Sequence, residues 1–175
     1  MTDFMTSAPP SSAAHLETVP APVFREAMTR FAAGVTVVTA YAGGDPVGCT
    51  ATAVLSLTDR PPTLLVSLAS GSGTLECIRT AGHFGVSVLP YALRGLADRF
   101  AGQPAARRFT GVAHERRSGA PLLTGSVAGL VCRVSRYVSL DDHTLVVGRV
   151  VHTQTDDGDA PLVHFARRQT RPCQV

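Results

Sequence analysis

Residues 35–58 read VTVVTAYAGGDPVGCTATAVLSLT, from Val35 to Thr58. Val35 to Ala42 is β-branched and strand-forming. Gly43-Gly44-Asp45-Pro46 is a turn signal. Val47 to Thr58 predicts a second strand, so the stretch reads as a β-hairpin. Pro61-Pro62 makes the next break, and Thr63 to Ala69 (TLLVSLA) is a nearly continuous apolar run. Such a run predicts a strand buried on both faces.

Upstream, Pro22 suits a first helical position, and Phe24, Ala27, Met28 and Phe31 recur at helical spacing. Gly34 is expected to end that helix as its C′ residue. Residues 1–21 are rich in Ser, Ala and Pro and read as a flexible tail. Downstream, Ser70-Gly71-Ser72-Gly73 leads into a short helix from Thr74 to Arg79, ended by Gly82. Phe84 to Leu89 is a further strand. Tyr91 to Ala101 carries Leu93, Leu96, Ala97 and Phe100 on one helical face. Gly102 to Ser118 is a polar, Arg-rich surface excursion. Ser126 to Leu140 and His143 to Thr153 are two long alternating strands joined at Asp141-Asp142, and Asp156-Asp157-Gly158-Asp159 is a late turn.

This makes about six or seven strands and three short helices, mostly connected as hairpins. A doubly wound sheet needs helices between successive strands. The expectation is therefore a mainly β chain, an antiparallel barrel with helices at its ends. It forms one domain over 22–170, followed by a short tail at 171–175.

Composition narrows the function. The 175 residues suffice for one domain with a core, and 45% are hydrophobic against 17% charged, which sets disorder aside. The net charge of +3 rests on Arg alone, because the chain has no Lys. Schiff-base and P-loop lysines are thereby excluded. No basic run interleaved with aromatics suggests a nucleic-acid surface. No stretch approaches the roughly 18–20 apolar residues of a membrane span. Met1 to His15 has neither the basic nor the apolar region of a secretory signal, so the cytoplasm is expected. Cys49, Cys77, Cys132 and Cys173 make no C-x-x-C pair, and the first three read as buried small hydrophobes. The histidines make no H-x-x-x-H pair, and no metal site is expected.

Three local features carry candidate chemistry. Ser67 to Thr74 joins a strand to a helix start, where free N–H groups and the helix dipole favour an anion. Ser72 and Thr74 would add hydroxyl donors to a phosphate; the alternative is ordinary N-capping by Ser70 or Ser72. A dinucleotide-binding loop is rejected, because Glu76 stands at the third glycine position and the βαβ context is missing. Next, Gly48 to Ala53 crowds small and hydroxylated residues onto a strand, letting a flat ring lie against the backbone or simply admitting a bulky neighbour. Last, Asp141-Asp142-His143 sits at a hairpin turn, where His143 either contacts a nucleotide or is merely exposed. No G-x-S-x-G elbow or carboxylate pair stands out, so the chemistry must come from a cofactor.

FREAMTRFAAGVTVVTA, GCTATAVLSLTDRPPTLLVSLA, SGTLECI, GHFGVSVL, LADRFAG, APLLTGSVAGLVCRV, DDHTLVVGRV and APLVHF follow one another in order. Over residues 22–168 the chain resembles the short-chain flavin reductases, the reductase components of two-component flavin-dependent monooxygenases. The resemblance implies an FMN-binding, Greek-key split β-barrel that forms a homodimer. It implies that NADH, or NADPH, reduces exchangeable FMN or FAD, which then passes to a partner monooxygenase in the making of a secondary metabolite such as an antibiotic. Thr50, Ala51, Thr52 and Ala53 would lie along the isoalloxazine and ribityl chain, with Ser67, Leu68 and Ala69 lining the same pocket. Ser72 and Thr74 would hold the phosphate, Ser87 would sit near the flavin, and Phe100 and Ala101 would border it. His143, with Asp142 orienting it, would bind the nicotinamide nucleotide. Asp141 replaces the glycine of the family's Gly-Asp-His motif, Thr52 and Ala53 replace Asn and Ser, and Gln169 replaces a tyrosine. The alternatives are a flavin-binding module that stores or senses flavin, and a protein similar to pyridoxamine-phosphate oxidases.

Overall fold

Stretch 35–58 folds as a hairpin, but its second arm is broken. In the computed structural model, which describes residues 18–172, the strand leaves the first sheet partner at Ala51 and resumes at Val54. The expected tail residues 1–17 and 173–175, Cys173 among them, lie outside the described residues. The chain begins with α1 (Ala21–Met28), β1 (Ala33–Gly34), β2 (Thr36–Ala42), β3 (Asp45–Ala51), β4 (Val54–Asp59) and β5 (Pro62–Ala69). Then come α2 (Gly73–Ala81), β6 (His83–Val88), a 3-10 turn at Tyr91–Leu93, α3 (Arg94–Gly102) and α4 (Ala105–Arg108). The rest is β7 (His114–Arg117), β8 (Ala120–Leu123), β9 (Ala128–Leu140), β10 (His143–Thr155), β11 (Val163–Phe165) and β12 (Arg168–Thr170).

Seven strands form one antiparallel sheet in the order β3-β2-β6-β9-β10-β5-β4. Among the described residues no pairing joins β3 to β4, so the curled sheet stays split along that seam. Thr52 and Ala53 sit at this seam, which is why the arm expected as one strand from Val47 to Thr58 divides there.

Three other expectations change. Thr63–Ala69 is buried on one face only: Leu64, Val66 and Leu68 point into the core, while Thr63, Leu65 and Ser67 are half-exposed. The first helix ends at Met28 rather than near Gly34. Thr29 N–H closes it onto Arg25 and Glu26 carbonyls, and Gly34 instead pairs with Val163 of β11. The cysteines divide too, since Cys132 is fully buried while Cys49 and Cys77 are half-buried.

The main core lies between the sheet and α2, built from Val38, Val66, Leu75, Ile78, Phe84 and Val146. Each such side chain contributes about 1.5–3 kcal/mol on burial. A second cluster, with Val37, Leu89, Phe100 and Leu162, sits under α3. At Gly148 a Cβ would lie 2.6 Å from the Phe84 ring, so this point of β10 admits no side chain. Gly82, at φ 67°, closes α2 with its N–H on the Ile78 carbonyl. These contacts fix the start of α2 beside β3 and β5.

Candidate functional site

The loop from β5 into α2 is the first half of the site. Ser72 occupies the N-cap position, yet its side chain makes no capping hydrogen bond. Ser70 does not cap either: its hydroxyl shares a 3.1 Å hydrogen bond with the Thr144 hydroxyl. The capping alternative is therefore not realised. First-turn N–H groups of a helix have no intrahelical acceptor, and they carry the positive end of its dipole. Thr74 is buried, 5% exposed, and Ser72 is half-buried. The Cys49 thiol of β3 adjoins both hydroxyls. Burial pushes that thiol up, and contacts with Thr74, Ser72 and the Arg108 charge pull it back down. Two hydroxyls and the free first-turn amides thus stand at the start of α2, a donor set suited to a phosphate.

The second half is a cleft of about 680 Å³ at the sheet's seam. Thr52, Ala53 and Ser67 line it, together with Val54, Leu55 and Leu65. Ala53 carbonyl accepts the Ser67 N–H at 3.0 Å, tying the two walls at this point. The cleft is largely apolar, and its small residues leave backbone accessible to a flat ring. From Cys49 to Ala53 the chain advances four residues, about 13 Å if extended. The cleft and the start of α2 are thus joined by short runs of chain, and the donors at α2 fit a phosphate such as that of a flavin mononucleotide.

Other expected residues support this strip from behind. Thr50 donates its hydroxyl to the Ala97 carbonyl at 2.6 Å, binding β3 to α3. Ala51 is 8% exposed and accepts from the Thr36 hydroxyl at 2.7 Å. Leu68 belongs to the main core. Ala69 is exposed at the end of β5, beside the loop. Ser87 is fully buried, its oxygen accepting the Leu123 N–H at 3.0 Å, so it does not face the cleft. Phe100 is fully buried, edge-on to Phe109 at 5.0 Å, and Ala101 is exposed on α3.

Asp142 and His143 end the β9–β10 hairpin. His143 Nδ1 lies 2.7 Å from Asp142 Oδ1, both side chains being exposed. The hydrogen bond and charge of His143 hold the Asp142 carboxyl below its ordinary value. The Asp142 carbonyl accepts the Ser70 N–H at 2.8 Å, which fastens this turn to the start of the anion loop. Asp141 has φ 45°, the left-handed region that suits glycine and that a short polar side chain tolerates.

Sequence reading missed the far wall of the cleft. Arg25, Phe31, His164 and Arg167 line it. They meet because the β11–β12 turn docks on α1: Arg167 Nη2 donates to Glu26 Oε2 at 2.7 Å, and Ala166 N–H to the Thr29 carbonyl at 2.9 Å. The two partners of that ion pair are 141 residues apart, and no local pattern announces them. Arg108 lies in the Arg-rich excursion at 102–118, where nothing local sets it apart from its neighbours.

The model of the flavin reductase like domain matches residues 28–172. The chain is 36% identical to an FMN reductase (NADH) of Ancylobacter novellus over 90% of its own length and 88% of the relative's. It is 40% identical, over 83% of its length and 77% of the relative's, to the reductase component of a 4-nitrophenol 4-monooxygenase/4-nitrocatechol 2-monooxygenase from Rhodococcus opacus. Among solved structures, the NADH:FAD oxidoreductase of Streptomyces globisporus C-1027 superposes with a TM-score of 0.82 at 29% identity, covering 93% of this chain and all of that one.

Proposed function

This chain belongs to the flavin reductase like family, and on that premise we propose that it uses NADH, or less readily NADPH, to reduce free FMN or FAD for a partner monooxygenase. The observation that carries this reading is the uncapped start of α2, reached from Ser67 of the seam cleft by one short run of chain. A bound flavin supplies a ring that accepts a hydride from the reduced nicotinamide and leaves carrying the electrons. The chain's own residues bind and orient. Ser72, Thr74 and the first-turn amides of α2 hold the phosphate. Thr52, Ala53 and Ser67 seat the ring, and β3 and β5 keep the two ends at a fixed separation. His143, held by Asp142, positions the nicotinamide nucleotide beside Ala69. Proximity and orientation supply most of the acceleration, since hydride transfer demands no side-chain acid or base.

The active assembly is a homodimer. No residue of α1 is buried, and Val23, Phe24, Phe31, Leu57 and Val151 are exposed. Apolar surface of this extent calls for a cover, and a second copy of the chain supplies it. Among the described residues no helix is long and apolar enough to cross a membrane. The product flavin feeds an oxygenase of aromatic or secondary-metabolite substrates.

Consumption of NADH with and without added FMN or FAD tests the reading. Flavin-dependent consumption without a third organic substrate is expected. Flavin binding without consumption would instead indicate a storage module, and turnover only with pyridoxamine phosphate a different oxidase.

A further inference from the structure

Ser70 is tied at once to the hairpin that carries His143 and to the turn that leads to Ser72. Regular pairing of β5 with β10 ends where Ala69 faces His143. One residue on, the Ser70 N–H donates to the Asp142 carbonyl at 2.8 Å. The Ser70 hydroxyl shares a 3.1 Å hydrogen bond with that of Thr144, which is 1% exposed. Ser70 therefore brackets His143: it holds the residue before by the main chain and the residue after by a side chain. On its other side, the Ser72 N–H donates to the Ala69 carbonyl at 2.9 Å. That bond closes a tight turn with Ser70 and Gly71 at its tip.

The inward side chain is the telling one. Successive strand residues face opposite ways, so His143 is exposed while Thr144 points into the fold. A buried hydroxyl needs a partner, and here a loop supplies it. Valine has nearly the same shape and would need none.

We propose that Ser70 and Thr144 are a positioning pair for coenzyme use: their hydrogen bond sets the main chain at His143 and so aims the imidazole that Asp142 holds. This rests on the reading of His143 as the holder of the nicotinamide nucleotide. In this role neither hydroxyl touches substrate. The imidazole is directed twice, by the Asp142 carboxylate on Nδ1 at 2.7 Å and by the bracketed main chain beneath it. A small displacement of the holder matters, because hydride transfer falls off steeply as the reacting atoms part.

Steady-state kinetics on the full chain, with flavin titration and thermal melting of the same variants, test this. Ser70→Ala and Thr144→Val should each lower kcat/KM for NADH about three- to tenfold, no more than His143→Ala does, and leave the Kd for FMN within about twofold of wild type. Thr144→Ser keeps the hydroxyl and should stay near wild type. The losses should not add in the double variant, since one bond is removed twice, and Ser70→Ala should cost nothing further in a His143→Ala background. Stability should part from kinetics: Ser70→Ala strands the buried Thr144 hydroxyl and lowers the melting temperature, whereas Thr144→Val does not. A kinetic loss that tracks melting, present in Ser70→Ala and absent from Thr144→Val, makes the bond purely structural and overturns the proposal. So does an undiminished effect of Ser70→Ala in the His143→Ala background, or FMN affinity lost in step with kcat/KM. A wild type active with flavin, whose kcat/KM survives His143→Ala unchanged, removes His143 and this inference while leaving flavin reduction standing. A wild type that consumes no NADH with either flavin removes the proposed function and this inference together.

Discussion

His143 stands directly across the β5–β10 ladder from Ala69, the last residue of β5. The side chain expected to hold the nicotinamide nucleotide and the loop expected to hold the flavin phosphate are thus neighbours on one sheet, fastened by the Ser70 N–H on the Asp142 carbonyl. Two substrates can meet only if their holders do, and this pairing brings the holders together.

His143→Ala should raise the KM for NADH about tenfold, roughly 1.4 kcal/mol, with flavin affinity nearly constant. Asp142→Asn should shift KM the same way by less. The pH dependence follows from the Asp142 carboxyl, which His143 holds below its ordinary value. A depressed carboxyl contributes stability above its unfolded pKa, and loses it as the pH falls through the folded one. The melting temperature of Asp142→Asn should therefore lie slightly below that of wild type at neutral pH and converge with it in acid. An unchanged NADH KM in His143→Ala would remove that residue from the site.

Ser72→Ala and Thr74→Ala should each weaken flavin binding by about 1–3 kcal/mol. Because Ser72 makes no capping bond, Ser72→Ala should leave the melting temperature unchanged, whereas loss of a true cap would cost ~1 kcal/mol. Flavin titration and thermal melting on one preparation separate the two roles. Lower stability with unaltered affinity would return the loop to capping.

The stretch from Val35 to Ala69 shows what a sequence discloses and what it conceals. Turn residues at 43–46, strand formers around them and the Ser-Gly-Ser-Gly entry to α2 are local signals, and the elements stand close to where they put them, although Asp45 and Pro46 already pair in β3 with Ala42 and Tyr41. The break at Thr52–Ala53 is not local. β-Forming residues run straight through it, and only the split between β3 and β4 interrupts pairing. Ser87 is similar: its alternation places it on a strand, but the Leu123 N–H that takes its oxygen arrives from 36 residues away. The far wall of the cleft depends on the Arg167–Glu26 contact, which no periodicity encodes.

Gly148→Ala should destabilise the fold by about 1–3 kcal/mol, the usual cost of overpacking. An added Cβ would stand 2.6 Å from Phe84 Cε1 and 2.7 Å from Cys132 Cβ. Denaturant unfolding gives the value. A neutral result would mean that β9 and β10 can slide apart freely at their middle, contrary to the packing described.

Light scattering in dilute neutral buffer should give twice the mass of the chain. Phe24→Asp, on a helix with no buried residue, should lower that mass to one chain and reduce activity. A wild type that is monomeric and fully active would refute the dimer.

The most direct test of flavin reduction is anaerobic. Enzyme, one equivalent of FMN or FAD and one equivalent of NADH are mixed without oxygen, and the flavin and NADH absorbances are followed together. The account expects the yellow flavin band to bleach at the rate NADH disappears, one for one, and far faster than without enzyme. Flavin and NADH that persist side by side with the folded protein, and do so again with NADPH, would contradict it.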